Sequence, residues 1–301
     1  MTEFQGVHVG AITPRGKQGE VDLGAAFELV DYFCAVGIRG ILLFGDSGEY
    51  PAFNADERSR LTYLAVKRSR VPVLAGVGSA TLDVSLGLAR EARDAGVAAV
   101  LLPPPIFFSC EPEDLCEFYL QFARQMGHDT AIFLSNTPSV GSGLPLETVL
   151  ELLGTGLFAG IADSQGSVES LLRMKCAANG AAFQVLTGND SNFASARAAG
   201  VGGALSAAAC AVPELMMALD RAINAVRQDR VEALDRELQE FLAWASRFPP
   251  ATAVKVAAGL RGLKTGAVGV PLSLHKQKLL DDFRAWFKAW LPAVKRLSAD
   301  S

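Results

Sequence analysis

Eight short, almost continuously apolar runs recur along the chain, at Val7–Ile12, Gly40–Phe44, Val71–Ala75, Ala98–Leu102, Ala131–Leu134, Leu157–Ile161, Phe183–Leu186 and Gly203–Leu205. A strand buried on both faces needs apolar side chains at successive positions, so these runs read as strands of a parallel sheet. Between them lie longer stretches of helical pattern, over Leu23–Val36, Ala55–Ser69, Thr81–Ala95, Pro112–Gln125, Leu146–Leu153, Val168–Asn179 and Asn192–Ala199. Gly37, Gly96, Gly127, Gly180 and Gly200 follow helices, where a residue of positive φ closes the last turn without a Cβ penalty. Eight strand–helix units joined by right-handed crossovers predict an α/β fold, a closed (β/α)8 TIM barrel. After Pro213 the pattern is wholly helical, over Pro213–Gln228, Arg230–Phe248, Ala251–Leu260 and Leu272–Leu291. The expected organisation is a barrel over residues 1–222 and a C-terminal helical extension over 223–301 packed on it.

Composition narrows the partners. Half of the 301 residues are apolar, enough for one large barrel core, and the net charge of −4 offers no basic surface to nucleic acid or an anionic membrane. No apolar run approaches the ~20 residues that span a bilayer. The first residues, Met1 to Gln5, have neither the charged nor the apolar segment of a secretion signal. A soluble cytoplasmic protein with no nucleic-acid or membrane partner is expected. The five cysteines are scattered and odd in number, and no C-x-x-C occurs, so they read as reduced and mostly buried. Walker, nucleophile-elbow and dinucleotide signatures are absent, and neither a cofactor nor a resident metal is expected.

A series of short motifs carries more specific information. It starts at Gly6-Val7-His8-Val9-Gly10-Ala11-Ile12-Thr13-Pro14 and runs through Gly45-Asp46-Ser47-Gly48-Glu49, Glu57-Arg58 and Gly76-Val77-Gly78. Ser135-Asn136-Thr137-Pro138, Thr187-Gly188-Asn189-Asp190 and Gly202-Gly203-Ala204-Leu205-Ser206 follow. In this order, over residues 6 to 265, they resemble the dihydrodipicolinate synthase / N-acetylneuraminate lyase family of aldolase-type lyases. The resemblance implies a homodimer or homotetramer, a small carboxylic or sugar acid as partner, and a lysine at the end of strand six that forms a Schiff base with a 2-oxo acid. That position is Ala162. The proton-relaying tyrosine of the family matches Ser135, a second tyrosine matches Phe107, and an arginine that holds a carboxylate in many members matches Val140.

In such barrels chemistry sits where strands run into the following loops. The ligand-binding candidates are therefore Asp46, Ser47, Phe107, Ser135, Asn136, Ala162, Asp163, Asn189 and Leu205. Ser47 and the backbone N–H groups of Gly45 to Glu49 match the part of the family motif that grips a carboxylate. Asp46, where the family has threonine, would repel a carboxylate or have its own pKa raised. It either caps the turn or faces a hydroxyl, an amine or a metal-bound group. Lys175, Lys255 and Lys264 read as structural or solvated, and His8, His128 and His275 as structural. A metal-assisted enolate route would draw on Asp46, Glu49, Asp163 and Asp190. Two readings stand: a lyase-superfamily protein that handles a small 2-oxo or hydroxy acid without an imine, and a non-catalytic binding or assembly subunit. The metal-assisted aldolase is a lesser third.

Overall fold

The computed structural model describes residues 4–137, 143–178 and 183–299. Pro138 to Ser142, including Val140, and the expected helix end at Asn179 and Gly180 lie outside the described residues. Eight parallel strands close into a barrel in chain order: β1 (Gly6–Gly10), β2 (Gly40–Leu43), β3 (Val73–Gly76), β4 (Ala99–Leu102), β5 (Ala131–Asn136), β6 (Gly160–Asp163), β7 (Gln184–Thr187) and β8 (Gly203–Ser206). β8 pairs back onto β1, Gly6 opposite Gly203 through Val9 opposite Ser206, so no sheet edge is left open.

Helices α1 (Leu23–Val36), α2 (Ala55–Arg68), α3 (Leu82–Ala95), α4 (Pro112–Met126), α5 (Leu146–Gly154), α6 (Val168–Ala178) and α7 (Phe193–Ala198) follow the first seven strands. The four-residue α8 (Ala208–Ala211) and α9 (Pro213–Asn224) follow β8. Local sequence explains where several of them start and stop. Asn54 and Glu57 form a reciprocal capping box at the head of α2, and α1 and α3 end at Gly37 and Gly96, with φ of 81° and 92°. The extension is α10 (Gln228–Ala245), α11 (Thr252–Leu260) and α12 (Leu274–Ala299).

Leu42, Leu74, Leu101, Phe133, Ala162, Leu186 and Leu205 form one buried cluster with Phe4. A second cluster joins Val7 and Val9 of β1 to Phe241 of α10 and Phe283 and Phe287 of α12. The extension thus shares an apolar core with the barrel.

Two kinds of boundary differ from the pattern. β5 and β6 run on to Asn136 and Asp163, because Ser135 pairs with Ala162 and Asn136 with Asp163 in the ladder. Backbone pairing continues after the side chains turn polar, and apolarity stops short of it. α12 runs past Leu291 to Ala299 with Pro292 inside it. Buried Trp290, Val294 and Ser298 keep its inner face packed, which offsets the hydrogen bond that proline cannot donate.

Candidate functional site

The segment after β2 sets the site. Phe44 and Glu49 hold positive φ, 54° and 51°, although neither is glycine. Such strain costs of order 1–3 kcal/mol per residue and persists only where surrounding contacts over-determine it. Here they do. The Gly48 N–H donates to the Gly45 carbonyl at 3.0 Å and the Glu49 N–H to the Asp46 carbonyl at 2.9 Å. The Thr13 hydroxyl donates to the Gly48 carbonyl at 2.8 Å. Position 76 must be glycine, since a Cβ there would stand 2.0 Å from the Phe44 carbonyl oxygen. Glu49 is ion-paired with buried Lys255 of α11 and lies 3.7 Å from Arg15. The turn is therefore held from several sides while it presents Asp46, Ser47 and Tyr50 inward.

These three residues line a cavity at the C-terminal ends of the strands, together with Phe44, Pro103, Ser135, Thr137, Ala162, Ser164, Gly188, Leu205 and Ala207. The centre of a water-sized sphere can move within about 90 Å³ there. One water needs roughly 10–15 Å³ of such space, so the cavity suits a few waters or a small organic acid. A second chamber shares Asp46, Ser47 and Ala207 with the first and is walled by Phe241, Leu242 and Ala245 of α10 and Pro249, Pro250 and Val254 of the following segment. Asp190 lines this chamber too.

The electrostatics are one-sided. No lysine, arginine or histidine is among the described residues lining the first cavity. Burial pushes the Asp46 carboxyl up to about 6, against a hydrogen bond from the Thr137 hydroxyl that favours its charged form. Thr137 Oγ1 lies 3.2 Å from Ser135 Oγ, so the two hydroxyls adjoin on the wall of the cavity that Asp46 also lines. Burial also raises Asp190 to about 6, although the Ser206 hydroxyl and the Ala208 N–H, the latter at 2.8 Å, favour its charge. The Tyr50 hydroxyl is buried without a hydrogen-bond partner among the described residues.

Asp46, Ser47, Ser135, Ala162 and Leu205 are thus brought together, whereas Phe107, Asn136, Asp163 and Asn189 do not line the cavity. Phe107 is 90% exposed on the loop after β4, with φ of 81°. Asn136 donates to Asp163 at 3.0 Å and accepts the Leu144 N–H at 2.9 Å, while Asp163 also accepts the N–H groups of Gln165 and Gly166. The pair ties the β5 and β6 loops together. Asn189 accepts the Ser191 N–H and starts a turn.

Lys175, Lys255 and Lys264 lie elsewhere: Lys175 donates to the Gly200 carbonyl, Lys264 pairs with Glu28 on the surface, and Lys255 is held by Glu49. Glu49 and Asp163 are likewise committed to protein partners. Among the described residues no three His, Cys, Asp or Glu side chains converge as a metal would require. Tyr50, Thr137 and Ser164 are the site residues that sequence reasoning passed over. The signal for Thr137 lay inside the Ser135-Asn136-Thr137 motif. Tyr50 follows the Gly45–Glu49 loop directly, and only the left-handed turn at Glu49 brings it back to the cavity.

Residues 3–289 match the dihydrodipicolinate synthetase family. A 4-hydroxy-tetrahydrodipicolinate synthase from Methanosarcina barkeri is 28% identical, the match covering 93% of this chain and 98% of that protein. An uncharacterized DapA-like lyase from Halobacterium salinarum is 31% identical, over 84% of this chain and 82% of its own length. Among solved structures, the 4-hydroxy-tetrahydrodipicolinate synthase of Methylacidiphilum fumariolicum superposes with a TM-score of 0.88 at 26% identity, covering 98% of this chain and 99% of the other.

Proposed function

Because this chain belongs to the dihydrodipicolinate synthetase family, we propose that its cavity binds a small 2-oxo or hydroxy acid, and that it does so without the Schiff base implied by the family resemblance. The observation that carries this reading is the methyl group of Ala162 at the tip of β6, facing a cavity with no amine among its described lining residues. Imine formation needs a primary amine as nucleophile, and a methyl group offers none. Ser135, opposite Ala162 in the ladder, supports the same reading, because its short aliphatic hydroxyl is a weaker acid than a tyrosine phenol.

Should turnover survive, Asp46 is the group suited to move a proton. A carboxyl with a pKa of about 6 exchanges protons near neutral pH. A non-catalytic binding subunit is the second reading, favoured by the missing amine. The metal-assisted route is disfavoured, since Glu49 and Asp163 are held by Lys255 and Asn136. A cytoplasmic homodimer or homotetramer completes the proposal. The adjoining exposed rings of Phe107 and Phe108 support it, as an apolar patch that a second copy could cover.

Calorimetric titration with pyruvate, longer 2-oxo acids, 2-hydroxy acids and sugar acids, each with magnesium and with EDTA, tests this function. The expected result is saturable binding of at least one small acid, unaltered by EDTA. No binding across the panel would overturn the reading. Product formation in the same mixtures separates a lyase from a binding subunit.

A further inference from the structure

The second chamber holds two carboxyls and no cation. Asp46 and Asp190 both line it, and no lysine, arginine or histidine is among the described residues that line either this chamber or the first cavity. Asp46 belongs to both walls and keeps accessible surface, whereas Asp190 is 8% exposed. No positive charge offsets the burial of either one; only hydrogen bonds oppose it, and those on Asp190 come from Ser206 and the backbone of Ala207 and Ala208. Lys255 follows Val254 of the chamber wall in the chain, but it is held by Glu49. Near neutral pH both carboxyls are mostly ionised, since each titrates at about 6. A charge taken out of water is costly until an opposite charge meets it. The rest of the chamber is largely apolar, with Phe241 and Leu242 of α10 and Pro249 and Val254 beyond it facing a space in which the centre of a water-sized sphere can move within about 220 Å³. Carboxylates set in apolar walls suit a charged head on a hydrocarbon stem.

We propose that the second chamber is a subsite for an aliphatic ammonium group, and that the small acid bound by this protein carries that group at the end away from its carboxylate. This rests on the small-acid reading given above. A plain 2-oxo or 2-hydroxy acid brings a second negative charge toward Asp46 with nothing to balance it. An acid with a terminal ammonium brings the missing cation. Its carboxylate end stays in the first cavity, where Ser47, Ser135 and Thr137 offer hydroxyls. Its stem passes Asp46, and the ammonium donates charge-assisted hydrogen bonds to the carboxylates of the second chamber.

The test is titration calorimetry on the full chain, near neutral pH and in EDTA so that no metal ion stands in for the ammonium. The probes are 2-hydroxybutyrate against 4-amino-2-hydroxybutyrate, 2-hydroxypentanoate against 5-amino-2-hydroxypentanoate, and butylamine alone. Native protein is expected to bind the amino member of at least one pair about tenfold more tightly than the plain acid. Asp46→Asn and Asp190→Asn keep shape and hydrogen-bond acceptors while removing charge, and each should cut that preference to about threefold or less. Melting curves check that both variants fold, and either one carries the test if the other does not. Equal or tighter binding of the plain acids by native protein overturns this inference and leaves the small-acid reading standing. An undiminished preference in the folded variants also overturns it, because the carboxylates are then not the partners of the ammonium. Binding of butylamine without any acid supports the subsite and overturns the small-acid reading, and failure of every probe overturns both.

Discussion

Asp46 costs the folded protein stability, and its sign can be worked out. Burial raises its folded-state pKa to about 6 from an ordinary 3.8, so the folded chain favours the neutral carboxyl. Between these values the folded state binds more protons than the unfolded one. Stability is therefore lost as pH rises through that window, with the full cost present above pH 6. Two pKa units correspond to about 3 kcal/mol at 25 °C. Asp46→Asn should melt higher than native protein near pH 8, and the gap should close as pH falls toward 4. A gap that does not change with pH would show that Asp46 is not desolvated in this way. Such costly groups cluster at functional sites, and the sequence marked this one because an acid stood where the family resemblance called for a hydroxyl. Tyr50 carried no comparable mark, since an aromatic residue after a glycine-rich turn reads as core.

At the scale of elements, the strained turn after β2 depends on a clamp from α11, the buried contact of Lys255 with Glu49. Burial lowers the Lys255 pKa, and Glu49 works against that. Glu49→Gln would leave the ammonium buried with Arg15 nearby, and breaking such a pair costs about 3–5 kcal/mol. Denaturant unfolding should register that loss. Lys264→Ala is the control: its pair with Glu28 is exposed, and such pairs are worth about 0–1 kcal/mol. Equal effects of the two substitutions would refute the clamp. The barrel itself was legible because strands covered on both faces announce themselves as apolar runs. The polar ends of β5 and β6 were not, because the ladder from Ser135 to Asp163 is written in backbone pairing. Nor could the sequence show that Asn136 and Asp163 are spent on each other, since that contact joins residues from separate strands.

For the whole molecule, the shared core of barrel and extension predicts joint unfolding. All three tryptophans, Trp244, Trp286 and Trp290, lie in α10 and α12, so their fluorescence reports on the extension while far-UV circular dichroism reports on the entire fold. Coincident melting curves are expected, and an earlier fluorescence transition would mean that the extension unfolds independently. The extension also walls the second chamber, which couples its integrity to any ligand that reaches beyond the first.

The most direct test of the central claim is intact-mass spectrometry after incubation with pyruvate and borohydride. Reduction of an imine converts its C=N bond to a stable amine and leaves the pyruvate carbons attached to the chain. Native protein is predicted to gain no mass, whereas Ala162→Lys combined with Ser135→Tyr should gain one reduced pyruvate per chain. A trapped adduct on native protein, at any lysine in the barrel, would contradict the account.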